Sequence, residues 1–355
     1  MNNMKKQKNK NLSGNKNHAR ENMNHNAAGE NNKNNNININ WYPGHMAKTR
    51  RMIQENLKLV DAVCEILDAR IPASSRNPDM NTLTAGKPRL MIFNRADQAD
   101  PESFSPWADF YRNQDIQING ANQPDDKNNI NNIIILRTDA KSGRGVNQFA
   151  PAVRELLADK IKAWTAKGQS GHVIRVMILG VPNVGKSSFI NRVSGRNSAK
   201  AENRPGVTRG KQWIVIDKQL ELLDTPGMLW PKFEDQAVGE RLAWTGAIKD
   251  DILDLETLGS DLAAFLAKYY PGALLDGYKL DALPNRTEDQ NIIKNFNQNQ
   301  TAYGFELLKL AGAKRGFRIS GGEIDTERMA RTLLDEFRSG KLGRFTLEFP
   351  ENAGE

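Results

Sequence analysis

The stretch Gly180-Val-Pro-Asn-Val-Gly-Lys-Ser187 decides the fold that this sequence predicts. An apolar run from His172 to Leu179 precedes it and predicts a buried strand, and the residues from Ser188 to Val193 predict the start of a helix. Strand, glycine-rich loop and helix together are typical of a P-loop, in which backbone N–H groups and a helix N-terminus bind phosphate. Lys186 would contact the β- and γ-phosphates, and the Ser187 hydroxyl would bind Mg²⁺. An ordinary glycine-rich turn is the alternative, and the flanking strand and helix disfavour it.

Composition indicates a globular protein with some very polar segments. The chain has 355 residues, 38% of them hydrophobic, and its mean hydropathy is −0.64. Neither a membrane-spanning run of about 20 apolar residues nor a signal-peptide core is recognisable, which predicts a cytoplasmic protein that does not contact a membrane. The single cysteine, Cys64, excludes a disulfide framework and a multi-cysteine metal site. A net charge of +8 suits a nucleic-acid partner if the charge is clustered.

The pattern along the chain predicts three segments. Residues 1–40 are rich in Asn and Lys and predict a disordered tail, with a basic arm that touches RNA as the alternative. Residues 41–250 alternate strands with helices, which predicts an α/β domain with a mostly parallel sheet and helices on both faces. Residues 251–355 predict helices without strands, and hence a small all-helical domain.

Polar motifs follow several of the predicted strands. Ligands of parallel sheets bind beyond the carboxyl ends of the strands, so these motifs are expected to converge on one site. The predicted strands cover residues 62–67, 89–93, 133–136, 172–179, 211–217 and 219–223. The predicted helices cover residues 45–59, 73–86, 103–112, 146–167, 235–248, 255–269, 305–311 and 324–337.

Two short motifs ahead of the P-loop predict the bound base. P-loops serve ATP and GTP alike, so the choice of base must come from other residues. The Asp97 carboxylate can accept hydrogen bonds from guanine N1–H and N2–H₂, which adenine does not offer in that arrangement. Asn94 can bridge the base edge and the neighbouring loops, and Ala140, in Asp139-Ala-Lys141, can present its N–H to guanine O6. The sequence therefore predicts GTP and GDP as ligands.

A third motif, Asp224-Thr-Pro-Gly227, predicts the remaining phosphate contacts. Asp224 is expected near Mg²⁺, usually through water, and the Gly227 N–H near the γ-phosphate. Thr208 could give a second hydroxyl to Mg²⁺ from a mobile loop. Met228 stands where many GTPases carry a Gln that orients the attacking water, so hydrolysis requires another group.

These five motifs resemble those of the P-loop GTPases, but the base-reading motifs precede the P-loop, an order typical of circularly permuted GTPases. Three further stretches extend the resemblance: Trp41-Tyr-Pro-Gly-His-Met-Ala-Lys48, Val60-Asp-Ala-Val63 with Asp68-Ala-Arg-Ile-Pro72, and the basic segment 314–344. With them, the sequence is similar to the ribosome biogenesis GTPase A family over residues 41–350.

The resemblance implies two catalytic residues that the motifs alone do not assign. It implies that His45 orients the attacking water and that Asn183 helps to hold K⁺ beside the phosphates. From the residues alone, His45 would instead cap or pack the start of the first helix, and Asn183 would be a P-loop spacer. The family's Lys in the base motif is replaced here by Arg95, which can still stack over base and ribose, and its Ser is replaced by Asp139.

The resemblance also implies a function. It implies a GTP hydrolase that assembles the large (50S) ribosomal subunit, binds the subunit precursor and its rRNA in the GTP state, leaves after hydrolysis, and is monomeric. A GTP-gated RNA-binding module with incidental hydrolysis is the alternative; a GTPase of tRNA modification or transport would predict further cysteines or membrane segments. The expected nucleotide-binding residues are Asn94, Arg95, Asp97, Asp139, Ala140, Lys141, Asn183, Val184, Gly185, Lys186, Ser187, Ser188, Thr208 and Gly227. The expected catalytic residues are His45, Asn183 and Lys186, and the expected Mg²⁺ ligands are Ser187, Thr208 and Asp224.

Overall fold

The computed structural model describes residues 44–120, 133–169, 171–195, 212–230, 233, 235–284 and 296–350. In these ranges the strands are β1 (Ala62–Asp68), β2 (Arg89–Asn94), β3 (Ile133–Arg137), β4 (Ile174–Leu179), β5 (Gln212–Asp217) and β6 (Leu220–Asp224). The helices are α1 (Gly44–Leu57), α2 (Met80–Leu83), α3 (Phe104–Gly120), α4 (Phe149–Leu156), α5 (Ala158–Ala166), α6 (Lys186–Ser194), α7 (Gln236–Trp244), α8 (Leu255–Tyr269), α9 (Pro271–Tyr278), α10 (Phe296–Arg315) and α11 (Thr326–Ser339). The predicted tail of residues 1–40 lies outside the described residues.

The strands form one sheet in the order β3-β2-β1-β4-β6-β5. Neighbouring strands are parallel except β5, which is antiparallel to β6. The strand that leads into the P-loop, β4, is fourth in the chain but lies at the centre, between β1 and β6. The mostly parallel sheet is therefore confirmed, and the carboxyl ends of five strands meet at one edge.

Helices cover both faces of the sheet because apolar residues point alternately to each side along the central strands. In β1, Cys64 and Ile66 pack in one core with Phe189 of α6. Val63, next to Cys64 in the strand, packs in a separate core with Ile53 of α1. The predicted arrangement of helices on both faces is confirmed.

Several helices differ from the prediction, among them α10, which was predicted only over 305–311. The helix predicted over 146–167 is divided into α4 and α5, because Leu157 takes φ −106° and ψ 16° between them. The helix predicted over 73–86 is reduced to the four residues of α2, and Pro78 disfavours helical geometry in the residue before it. The eight-residue α9, which begins at Pro271, was not predicted from sequence.

The helices after residue 250 continue the core of the sheet. Leu258 of α8 and Leu333 of α11 belong to the same apolar core as Phe189 of α6. The Trp244 side chain at the end of α7 joins the two regions, since its Nε1–H donates to the Leu258 carbonyl at 3.0 Å. The predicted boundary near residue 250 stays a prediction. Among the described helices, none is both long and apolar enough to cross a membrane.

Candidate functional site

Three loops at the carboxyl edge of the sheet meet at the side chain of Asn94. Asn94 ends β2 and is almost completely buried. Its Nδ2 donates to the Val184 carbonyl of the P-loop at 3.0 Å. Its Oδ1 accepts from the Ala140 N–H at 3.1 Å and from the Thr138 hydroxyl at 3.2 Å. One buried amide thus holds together motifs that lie far apart in the sequence.

Lys186 begins α6 with its side chain turned into the P-loop. Its Nζ donates to the carbonyls of Val181 at 2.7 Å and Gly180 at 3.0 Å. Burial lowers the pKa of Lys186 to about 8, although the nearby Asp224 charge acts in the opposite direction. A cation in this place is costly without an anionic partner, which is what a phosphate would supply.

The loop conformation depends on a glycine before the lysine. Gly185 has φ +96°, and a Cβ on it would lie 2.3 Å from Asn94 Nδ2. Any side chain at this position would therefore separate the P-loop from the base loop. After it, Ser187 is half-buried and Ser188 is exposed at the start of α6.

Arg95 and Asn183 both adopt a left-handed backbone, with φ of 60° and 56°. They contact each other, since Arg95 Nη2 donates to the Asn183 carbonyl at 2.8 Å. Arg95 Nε also lies 3.6 Å from Asp68 Oδ2. Burial, with the nearby charge of Arg70, lowers the pKa of Arg95 to about 10. The Arg95 guanidinium is thus directed at the P-loop backbone, a contact that sequence reasoning did not assign to it.

The remaining base-loop residues lie close together. Asp97 is exposed at the surface, but the surrounding loops partly desolvate its carboxyl group and, with the negative charge of Asp139, raise the pKa of Asp97. Asp139 is buried and its Oδ1 accepts from the Lys141 N–H at 2.8 Å. Asp139 therefore stabilises the turn that carries Ala140.

Asp224 and Gly227 lie beside the P-loop, where the sequence predicted them. Asp224 ends β6 with a buried side chain. A Cβ on Gly227 would lie 2.6 Å from Pro182 Cα, so this loop packs directly on the P-loop. Carboxylate and hydroxyl oxygens such as those of Asp224 and Ser187 suit Mg²⁺. Thr208 lies outside the described residues, and its predicted role stays a prediction.

Met228 has a packing role. Its N–H donates to the Gly180 carbonyl at 3.2 Å, and its side chain is buried in the core that contains Ile53 of α1. This core connects the loop after Asp224 to the helix whose first turn contains His45. The His45 side chain lies outside the described residues, so its predicted catalytic role stays a prediction.

Sequence reasoning assigned no role to the buried pair of Asp68 and Arg70. Arg70 donates to the Asp68 carboxylate through Nε at 2.9 Å and Nη2 at 2.7 Å. Burial raises the pKa of Asp68, but the charge and hydrogen bonds of Arg70 outweigh it and hold that pKa below its usual value. The Arg70 guanidinium also lies 5.2 Å from the Phe337 ring centre of α11. The signal available in the sequence was an Asp-x-Arg directly after a buried strand.

Arg192 was also missed. It lies in the last turn of α6, and its Nε donates to the Ala140 carbonyl at 3.2 Å. Its Nη2 donates to the Lys141 carbonyl. The P-loop helix thus supports the base loop directly, and no local pattern in the sequence indicates this contact.

Comparison with known proteins gives consistent matches. The family described as 50S ribosome-binding GTPase matches residues 175–308. Ribosome biogenesis GTPase A of Priestia megaterium is 42% identical over 316 residues, which cover 89% of this chain and 98% of that protein. Mitochondrial ribosome-associated GTPase 1 of Mus musculus is 31% identical over 322 residues, which cover 87% of this chain and 89% of that protein.

Two solved structures of YlqF share the fold. The GDP-bound structure has a TM-score of 0.55 at 22% identity and covers 84% of this chain and 99% of its own. The GNP-bound structure from T. maritima has a TM-score of 0.52 at 21% identity and covers 86% of this chain and 99% of its own. At such identities the likeness concerns the arrangement of helices and strands.

Proposed function

Because the chain belongs to the ribosome biogenesis GTPase A family and is a GTPase, we propose that it serves as an assembly factor for the large ribosomal subunit. It binds the subunit precursor and its rRNA in the GTP state and leaves after hydrolysis, as a monomer in the cytoplasm. The observation that carries the proposal is the position of Asn94, whose amide joins the P-loop to the base loop. The loop proposed to bind phosphate and the loop proposed to read guanine are thereby both hydrogen-bonded to the same side chain.

The proposal assigns the contacts of GTP to the residues of these loops. Lys186 and the P-loop N–H groups bind the β- and γ-phosphates, and the Asp97 carboxylate and the Ala140 N–H read guanine. Ser187, Thr208 and Asp224 would hold Mg²⁺, and Asn183 would take part in holding K⁺. Cations held by these residues would offset the charge that develops on the phosphates during hydrolysis.

Hydrolysis is slow in the isolated protein under this proposal. Met228 has no polar atom that can orient water, and its side chain is buried. His45 supplies the missing group when α1 is held correctly on the ribosomal particle, since an imidazole near neutral pKa can orient or deprotonate water. The buried Met228 equally favours the second candidate, a GTP-gated RNA-binding module in which hydrolysis is incidental.

The helical region supplies positive charge for rRNA. Residues 309–344 contain nine Lys or Arg residues and five Asp or Glu residues. Among the cations, Arg318 and Arg344 are exposed to solvent. Exposed cations bind phosphate groups of RNA without reading sequence, so binding should weaken steeply as salt rises.

The test compares GTP turnover of the protein alone with turnover in the presence of purified large ribosomal subunits, in K⁺ and in Na⁺ buffers. We expect the subunits to raise turnover at least about tenfold, which is a modest share of what an added catalytic group contributes. Turnover that stays at the free rate would favour the binding module over the assembly enzyme.

A second arm of the same assay uses His45→Ala. The variant should bind GTP as tightly as the wild type, because His45 lies outside the P-loop and the base loop, and should lose the subunit-stimulated part of turnover. Stimulation that persists unchanged in His45→Ala would remove His45 from the mechanism while leaving the assembly role in place.

A further inference from the structure

Asn183 of the P-loop is held from two sides. Arg95 donates to its backbone carbonyl at 2.8 Å. Its own side-chain Nδ2 donates to the carbonyl of Gly246 at 3.3 Å. Because a carbonyl only accepts, this contact commits the amide nitrogen to Gly246 and leaves the amide oxygen as the atom available to a ligand. A residue outside the nucleotide motifs therefore sets the orientation of Asn183.

Gly246 follows the end of α7 and lies between the P-loop and α11. It has φ +78°, and a Cβ on it would lie 3.0 Å from Asn183 Nδ2 and 3.5 Å from Arg338 Nε. Its approach to Asn183 therefore depends on the absence of a side chain. On its other side, Gly246 faces the guanidinium of Arg338 from α11.

Arg338 of α11 fixes the end of α7. Its Nε donates to the Trp244 carbonyl at 2.9 Å, and its Nη2 donates to the Ala243 carbonyl at 2.8 Å. These are carbonyls of the last helical turn, and the Ala243 carbonyl also accepts from the Gly246 N–H at 3.0 Å. The guanidinium also forms a two-pronged ion pair with Asp250, with both distances 2.8 Å. Arg338 can bind two carbonyls and a carboxylate at once because a guanidinium has five N–H donors in one plane, which a Lys ammonium lacks.

The end of α11 also contacts the base loop. A Cβ on Gly340 would lie 2.9 Å from Gln98 Cγ, and the Phe345 N–H donates to the Gln98 carbonyl at 2.9 Å. Gln98 directly follows Asp97, the residue that reads guanine in the proposed function. The segment at the end of α11 thus contacts the base loop directly and reaches the P-loop through Gly246.

We propose that Arg338 is a positioning residue for the bound nucleotide. By holding the end of α7, it keeps the Gly246 carbonyl against the Asn183 amide nitrogen, so that the amide oxygen of Asn183 is left to a cation beside the triphosphate. Movement of α11 on a ribosomal partner then alters GTP affinity, and GTP alters the seating of α11 by the same factor. The inference rests on the proposed binding of GTP at the P-loop.

The first test measures the affinity of a fluorescent, non-hydrolysable GTP analogue for Gly246→Ala. The matched control is Gly86→Ala: Gly86 has φ +76°, is exposed, and a Cβ on it would meet no atom within 4 Å. Both variants carry similar backbone strain, because both place a side chain at positive φ. We expect Gly246→Ala to weaken binding about tenfold, as the loss of one constraint on a phosphate-side group would, and Gly86→Ala to change it less than about twofold. Equal effects of the two substitutions would overturn the proposal.

The second test is a double-mutant cycle of Arg338→Met with Asn183→Ala, read as analogue affinity. Arg338→Met should weaken binding in the wild type and have little effect in the Asn183→Ala background, since its influence passes through Asn183. A merely structural Arg338 would lower the unfolding temperature and weaken binding by the same factor in both backgrounds, and that result overturns the proposal. If Arg338→Met does not fold, Gly246→Ala replaces it in the cycle. A wild type that binds no guanine nucleotide would overturn the proposed function as well, whereas additive effects overturn this inference alone.

Discussion

At the carboxyl edge of the sheet, polar and charged side chains are buried, whereas at the opposite edge, where the parallel strands begin (the amino edge), charged side chains face solvent and pair with one another. Lys186 at the first edge is 7% exposed, and both of its hydrogen bonds go to carbonyls of its own loop. Lys160 at the second edge has a side chain 43% exposed and pairs with Asp61 at 2.6 Å. Further pairs at the amino edge are Arg175 with Glu221 and Arg154 with Asp217.

This difference is what the proposed nucleotide site at the carboxyl edge would produce. The Lys186 ammonium is buried, and the nearby charge of Asp224 offsets only part of the cost, since the pKa of Lys186 stays at about 8. Exposed ion pairs each contribute between about 0 and 1 kcal/mol and constrain nothing beyond their own side chains. Stability alone would not favour Lys186 at the carboxyl edge, so its substitution should affect chemistry more than folding.

The largest expected effect is that of Lys186→Ala. GTP hydrolysis should fall by roughly a thousandfold or more, because a preorganised cation at the phosphates is lost. Since burial holds the pKa of Lys186 at about 8, below its unfolded value of 10.5, protonating this side chain costs stability, and that cost is fully present below about pH 8. Its removal should therefore change the free energy of unfolding at pH 7 by less than about 1 kcal/mol, as lost packing offsets the relief. Single-turnover hydrolysis and thermal unfolding measure the two quantities.

Lys160→Ala is the matched control at the amino edge. It removes the same charge from a surface pair, so hydrolysis should stay within about twofold of the wild type. A Lys186→Ala protein that unfolds while retaining nucleotide turnover would reverse the comparison, since Lys186 would then be a structural residue.

Asp97→Asn should have the next largest effect. GTP affinity should fall about a hundredfold, because one acceptor that faces two guanine donors becomes an amide. The affinity of the variant for xanthine nucleotides should rise, since xanthine presents a carbonyl in place of the guanine amino group. Titration with GDP and with xanthosine diphosphate measures both.

Asp139→Asn is the control that distinguishes the loss of a contact with the base from the loss of one negative charge in this loop. It also removes a negative charge, but an Asn oxygen can still accept from the Lys141 N–H that Asp139 binds. We expect less than a tenfold loss of GDP affinity and no gain for xanthosine diphosphate. If both variants change the preference equally, the base loop responds to net charge and Asp97 does not read the base.

The local sequence pattern was enough to predict those parts of the site whose residues are adjacent in the chain. The strand–loop–helix around Gly180–Ser187 is encoded by an apolar run, two glycines and a helix start, and the structure reproduces it. The placement of Asn94 after a buried strand likewise followed from the rule for parallel sheets. The circular permutation was evident because it concerns the order of motifs, which sequence preserves.

The features that could not be predicted from the sequence depend on contacts between residues far apart in the chain. The link from Arg338 to Asn183 joins residues 155 positions apart through the end of α7, and no local periodicity encodes it. The break at Leu157 arises where a buried Leu leaves helical geometry to remain in the core. The left-handed Arg95 is held by partners on the P-loop and at Asp68, neither of which adjoins it in sequence.

The smallest expected effect is that of Arg175→Gln at the amino edge. Arg175 Nε lies 3.1 Å from Glu221 Oε2, and the two side chains are 48% and 24% exposed. The free energy of unfolding should fall by less than about 1 kcal/mol, and the loss should shrink in high salt, which screens exposed charges. Arg70→Gln is the matched contrast at the carboxyl edge, because it leaves Asp68 buried without its main counter-ion and should cost about 3 kcal/mol or more. Denaturant titration of both variants in low and high salt checks the difference. If Arg175→Gln costs as much as Arg70→Gln, the two edges do not differ in how they hold charge, and burial at the carboxyl edge loses its meaning as a mark of the ligand site.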